Sequence, residues 1–157
     1  MDNNKGSTSF QNTHIQRAVT QEEKKNCEDV RIDVFVKELG FSRELRAILL
    51  LATMNDESGV NIPIGTIRMV PCKDDNSSGI LSRLAVHSHH RGKGVGRKLI
   101  HALEAAAKDE GKASLMLECQ PQKRGYYESL GYTLEDKTIY MRVGTPHQRL
   151  WKRHLLQ

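Results

Sequence analysis

Cysteine is scarce in this chain. Three residues, Cys27, Cys72 and Cys119, stand far apart among 157, an odd number without a C-x-x-C pair. That argues against a disulfide framework or a zinc site, and points to a reducing cytoplasmic or nuclear setting. Long apolar runs are missing as well. Six apolar residues stand together from Ala47 to Ala52, well short of the ~18 that a membrane helix needs. The first ten residues, Met1 to Phe10, hold no apolar core of the signal-peptide kind. Aromatic residues make up 5%, with one tryptophan, and no basic stripe is interleaved with them. This argues against a nucleic-acid partner. Charge of one sign is not dominant: 24 Lys and Arg against 19 Asp and Glu leave +5. An excess that mild suits a small polyanionic ligand. No internal repeat is present. The rest is ordinary, 38% hydrophobic and 27% charged, and the length fits one domain with its own core.

What is present is concentrated in residues 80–111. Ile80 to Val86 reads as a strand, with Leu84, Ala85 and Val86 its apolar end. Arg91-Gly92-Lys93-Gly94-Val95-Gly96 reads as a tight basic turn. A helix follows, with Val95, Leu99, Ala102, Leu103 and Ala106 at the spacing of one face. Gly111 ends it with a left-handed cap. Glycines let backbone approach a ligand closely. The free N–H groups of a helix start, with the helix dipole, favour an anion. Arg91, Lys93, Arg97 and Lys98 add positive charge at the same point. Together they read as a pyrophosphate cradle, against the plainer alternative of a solvated Gly-rich turn. A P-loop is excluded because no G-x-x-x-x-G-K-[ST] occurs, and a dinucleotide fingerprint because the glycine spacing is wrong.

Around this stretch the chain punctuates itself. Residues 1–12 are polar and read as a flexible N-terminus, with a single domain over 13–157. Thr13 to Val19 is a weak edge strand. Thr20-Gln21-Glu22-Glu23 is a capping box that starts a helix carrying Cys27, Val30, Val34 and Phe35 inward and ending near Gly40. Ala47 to Ala52 reads as a buried strand, with a helix left open because periodicity does not separate the two, and Ile62 to Val70 reads as a strand with Gly65 marking a bulge. Ala113 to Cys119 is a strand, and Gln122 to Leu130 a short helix closed by Gly131. Tyr132 to Leu134 and Thr138 to Val143 read as a terminal hairpin, and Gly144 to Gln157 as a basic tail. This order fits an α+β layer with a mixed sheet.

Two of these blocks carry a resemblance. Arg91 to Gly96 resembles R/Q-x-x-G-x-G/A, the acetyl-CoA signature of the GNAT acyltransferases. Tyr126-Tyr127-Glu128-Ser129-Leu130-Gly131-Tyr132 resembles the same family's F-Y-x-x-x-G-F. The likeness extends over about residues 62–143. It implies a GNAT fold: a mixed, mostly antiparallel central sheet, splayed between strands 4 and 5, with helices on both faces and acetyl-CoA in the splay. Arg31 to Glu38, the Arg83 before Leu84-Ala85-Val86, and Pro146-His147 resemble the ElaA-like branch. Leu117 to Gln122 and Gly131 to Thr133 are similar instead to eukaryotic glucosamine-6-phosphate N-acetyltransferases.

The resemblance implies roles for single residues. The backbone of Leu84, Ala85 and Val86 would hold the thioester and pantetheine arm. Arg91, Gly92, Lys93, Gly94, Val95, Gly96 and Arg97 would hold the phosphates, with Gln120, Tyr126 and Tyr127 also against the cofactor. Tyr127, on its own a core tyrosine of a short helix, becomes the general acid for the departing thiolate. A phenol of pKa near 10 suits a thiol of about 8.5. The general base stays open among Glu118, Glu38 and His147, with a water relay as the alternative. Cys119 has no activating histidine beside it, so direct transfer is expected over an acyl-enzyme. His87, His89 and His90 lack the spacing of a zinc site and read as a solvated turn beside the phosphates, so no metal is expected. The implied activity is an acyl-CoA-dependent N-acetyltransferase acting on a small-molecule amine or amino sugar, with no membrane partner and with a homodimer allowed. The rival from another class is a silent acyl-CoA-binding module on the same fold.

Overall fold

The computed structural model describes residues 13–34, 48–72 and 74–157. The first helix, α1 (Gln21–Arg31), starts on the expected capping box. Thr20 Oγ1 accepts the Glu23 N–H at 3.1 Å, and the Glu23 carboxylate accepts the Thr20 N–H at 2.8 Å. After Arg31 the chain makes one wider turn over residues 32–34. Cys27, Val30 and Val34 are buried as expected. The expected end near Gly40, Phe35 and the candidate base Glu38 lie outside the described residues.

Among the described residues eight strands follow in order: β1 (His14–Arg17), β2 (Ile48–Asn55), β3 (Asn61–Pro71), β4 (Ser78–Val86), β5 (Ser114–Cys119), β6 (Thr133–Leu134), β7 (Tyr140–Arg142) and β8 (Thr145–Lys152). Their order in the sheet is β1-β2-β3-β4-β5-β8-β6, with β7 on β8. Neighbours are antiparallel except β4 and β5, which run parallel. α2 (Val95–Asp109) supplies the crossover that a parallel pair requires. α3 (Arg124–Glu128) follows β5 after a single 3₁₀ turn.

The two faces of the sheet bury different sets. Leu50, Ile67, Leu115, Leu117, Cys119 and Leu150 pack with Val95, Leu99, Ile100 and Leu103 of α2. Leu51 packs with Cys27, and Ala85 packs with Val30 and Val34, on the α1 face. The alternation of the strands therefore sorts the core into two layers. Along α2 the inward set is Val95, Leu99, Ile100, Leu103, Glu104 and Ala107. Ala107 stands where Ala106 was expected, a turn of one position. Gly111, at φ +72°, caps the helix, and Lys112 N–H reaches Ala107 O at 2.9 Å.

The C-terminal reading needs correction. Tyr132 to Leu134 and Thr138 to Val143 do not pair with each other. Both β6 and β7 pair with β8, and β8 is inserted between β5 and β6. The residues expected as a basic tail are thus a central strand. Its register places Glu118 against Arg149 and Met116 against Trp151.

Candidate active site

The site begins with an irregular strand. Across β3 and β4, Thr66 pairs with Ala85 but Arg68 pairs with Ser82, so Arg83 and Leu84 oppose Ile67 alone. This is a β-bulge, and Arg83 takes φ +53°, a conformation unusual for a residue with a side chain. Beyond it β4 leaves its parallel partner: the β4–β5 ladder ends at Ile80 and Met116. The strands then diverge, and among the described residues no strand pairs with the β5 side of the β4 end. His87 N–H donates to Ile64 O on β3 at 2.9 Å. By strand alternation Val86 turns its amide the other way, into the splay. Val86 O on that side accepts from Arg91 Nε at 2.8 Å, so the loop is fastened to the strand end.

The cradle follows at once. Gly92 and Gly94 have φ of +71° and +82°, and Gly94 is the N-cap of α2. A Cβ on either would point into open space, so conformation selects glycine here, and the bare backbone leaves room for a bulky anion. Val95, buried, fixes the helix start to the core, and the first turn of α2 carries no acid. Lys93 Nζ donates to His89 O at 2.9 Å, and Arg97 and Lys98 are exposed. Gly96 faces α3: a Cβ there would stand 3.1 Å from the Tyr126 hydroxyl and 3.8 Å from Leu84 Cδ2. Cradle, β4 end and Tyr126 therefore meet at one place.

Tyr127 lies one residue further on. Its ring stands edge-on to Tyr126 at 5.2 Å and to Tyr132 at 6.2 Å. It packs on the α2-side core that includes Cys119. Burial, with Cys119 and Tyr126 nearby, pushes its phenol far above the ordinary range. The group holds its proton at every working pH. Cys119 is itself raised, to about 11, by burial, so a thiolate is scarce at neutral pH. Gln120 follows β5, its backbone carbonyl accepting from Lys123 N–H at 2.9 Å and its side chain from Gln122 at 2.7 Å.

The base candidates fall on the other face. Glu118 points opposite to Cys119 and is held by two arginines. Arg142 binds it through Nε at 2.7 Å and Nη2 at 2.9 Å, and Arg149 through Nη2 at 2.9 Å. Burial alone would raise this carboxyl, but the two guanidiniums outweigh it and hold it below the usual range. A carboxylate so stabilised is a weak proton acceptor. His147 lies on β8 with Nδ1 3.1 Å from Thr145 O. Arg142 and Arg149 also stand near the Tyr140 ring, at 5.5 and 4.4 Å. These partners lie 24 and 31 residues from Glu118, and sequence reading gave no signal for them. Among the described residues no set of three His, Cys, Asp or Glu is placed to hold a metal ion, and no helix is long and apolar enough to cross a membrane.

A splayed parallel pair, a glycine cradle at the start of the following helix and the tyrosine pair of α3 thus stand together. Residues 47–134 match the family model described as an acetyltransferase (GNAT) domain. YjcF of Bacillus subtilis, described as an uncharacterized N-acetyltransferase, is 30% identical over 140 residues, covering 86% of this chain and 96% of YjcF. Other Bacillus subtilis relatives match over a shorter stretch, in which the chain spans 60% of their length. Among solved structures, Escherichia coli ElaA superposes with TM-score 0.74 at 18% identity, over 90% of this chain and 99% of ElaA. Salmonella typhimurium yncA, determined with its cofactor acetyl-CoA, gives 0.68 at 19% identity, over 93% and 95%. The chain belongs to the GNAT acetyltransferase family.

Proposed function

We propose that the chain transfers an acetyl group from acetyl-CoA directly to a primary amine, in a reducing cytoplasmic setting. The observation that carries this is the junction of three parts at one point: the open amide edge of β4, the Gly92–Gly94 cradle and the tyrosine pair of α3. Bound there, acetyl-CoA supplies an activated acetyl thioester. The amide of Val86 holds the thioester oxygen and polarises it. Gly92 to Gly96 and Arg97 hold the phosphates. Tyr126, over Gly96, walls the pantetheine side. Tyr127 donates its proton to the leaving sulfur. The amine enters from the α1 face, where α1 lies across Ala85. With Glu118 neutralised by Arg142 and Arg149, the amine's proton leaves through water, with His147 as the remaining described side chain suited to take it. The raised Cys119 thiol supports direct transfer over a covalent acyl-enzyme.

Two measurements test the cofactor half. Coenzyme A binding to the native state alone raises stability by RT ln(1 + [L]/Kd), ~2.7 kcal/mol at a hundredfold excess over Kd. For a domain of this size that moves Tm by roughly 5–10 °C. A Tm indifferent to millimolar coenzyme A contradicts the reading. Gly94→Asp adds a carboxylate at the cradle and a side chain at φ +82°. Calorimetry is expected to show coenzyme A affinity at least tenfold weaker, about 1.4 kcal/mol. Gly111→Asp is the control, equally strained at φ +72° but at the far end of α2. It is expected to lower Tm and leave the affinity alone. Coenzyme A bound normally, with no release from acetyl-CoA across a broad amine panel, favours the silent module instead.

A further inference from the structure

A tyrosine hydroxyl stands where the cradle meets the splay. Tyr126 lies on α3, its ring edge-on to Tyr127 at 5.2 Å. The point that a Cβ on Gly96 would occupy is 3.1 Å from the Tyr126 hydroxyl and 3.8 Å from Leu84 Cδ2 of β4. The hydroxyl therefore borders the passage between α2 and the β4 end. The side chain is 40% exposed, so this passage is open to solvent. Among the described residues no group hydrogen-bonds that hydroxyl.

Gly96 differs from Gly92 and Gly94. It is the second residue of α2 and does not take a positive φ. Glycine inside a helix is destabilising relative to alanine, so conformation does not select it here. Space does: the Tyr126 hydroxyl leaves too little room for a methyl group without moving aside. The N-cap Gly94 offers no side-chain acceptor to the first amides of α2. The hydroxyl thus stands beside a row of backbone donors. Partial burial raises the phenol above its ordinary value, and Arg97 pulls the other way. The phenol is protonated at working pH and can donate. A donor placed among such amides fits an anionic oxygen, and a bond to an ionised acceptor is stronger than one between neutral groups. The motif F-Y-x-x-x-G-F has phenylalanine at this position, so the hydroxyl is this chain's own.

We infer that the Tyr126 hydroxyl donates a hydrogen bond to the diphosphate of the acyl donor, and that position 96 is glycine so that the hydroxyl can stand there. The pair makes the site select a donor that carries a diphosphate over a thioester that carries none. This rests on the acyl-coenzyme A reading of the site.

The test uses two ligands and a cycle of two substitutions. Coenzyme A is titrated by calorimetry. Pantetheine, which has the same thiol arm and no phosphate, is measured by its competition against coenzyme A. Tyr126→Phe keeps the ring and removes the hydroxyl. It is expected to weaken coenzyme A by about tenfold or more and to leave pantetheine within about twofold of wild type. Gly96→Ala pushes the hydroxyl aside and is expected to weaken coenzyme A by about threefold or more. In the Tyr126→Phe background the same alanine is expected to change the affinity by less than about twofold, because the two substitutions remove one interaction. Thermal melts of all four proteins check that each is folded. Coenzyme A bound equally well without the hydroxyl, or pantetheine weakened as much as coenzyme A, overturns the diphosphate contact. Alanine costing the same in both backgrounds overturns the pairing with Gly96. A wild type that binds no coenzyme A rejects the acyl-coenzyme A reading itself, whereas a wild type that binds it, with the Phe variant equal, rejects the inference alone.

Discussion

Tyr127→Phe is expected to lower kcat by about 10²–10⁴-fold, the usual worth of a positioned general acid. The substitution keeps the ring, so its edge contacts with Tyr126 and Tyr132 and its place on the α2-side core persist. No described residue hydrogen-bonds its hydroxyl, so removing that oxygen leaves no protein group unsatisfied, and stability is expected to change by about 0.5 kcal/mol or less. Coenzyme A affinity and KM for the acyl donor stay close to wild type, because the proton is needed only as charge develops on the departing sulfur. The pH dependence adds a second check. Burial, with Cys119 and Tyr126, raises the Tyr127 phenol, so it keeps its proton through the alkaline range. The wild-type rate should then show no alkaline fall from an ordinary phenol near pH 10. Steady-state kinetics with a good amine, on both proteins from pH 6 to 10, settles it. A Phe variant with wild-type kcat assigns the proton to water and leaves the cofactor site intact.

The parts of this site legible in the sequence are those in which residue type dictates backbone. Gly92 and Gly94 announce positive φ, and Thr20 with Glu23 announces a helix start. The spacing from Val95 to Leu103 announces which side of α2 is inward. β8 was illegible for a physical reason. Its turn is Val143-Gly144, with φ of +48° and +74°, the geometry of a two-residue hairpin, but with valine where asparagine or aspartate would signal it. Its strand then alternates Arg149 and Trp151 against Gln148, Leu150 and Lys152, so polar residues occupy both faces and hide the period of two. The bulge at Arg83 was hidden likewise, since nothing about an arginine announces φ +53°. Glu118 stood out as a lone acid on a strand. Its meaning changed only when β7 and β8 brought Arg142 and Arg149 to it. Long-range ion pairs of this kind leave no local trace.

Lys152→Met is expected to give the largest stability loss, about 2–4 kcal/mol. Glu104 faces inward from the third turn of α2, its side chain 11% exposed. Lys152 Nζ, at the end of β8, donates to both of its oxygens at 2.9 Å and to Leu130 O at 2.9 Å. The Tyr132 hydroxyl adds a bond at 3.1 Å. The three groups fasten α2 to β8. Removing one partner of a buried pair costs ~3–5 kcal/mol because a charge is left behind. The lysine side chain is 25% exposed, so water reaches the site and lowers the loss to the bottom of that range or about 1 kcal/mol below it. Methionine fills the space of the stem, which separates lost charge from lost packing. Glu104→Gln leaves the lysine able to reach solvent and is expected to cost about 1 kcal/mol. In the double variant no charge is stranded, so its stability should exceed that of Lys152→Met alone, a coupling of about 1–3 kcal/mol. Urea denaturation of the four proteins measures the cycle. Additive losses would show the pair to be screened by solvent, and α2 would then be held by its apolar face from Val95 to Ala107 alone.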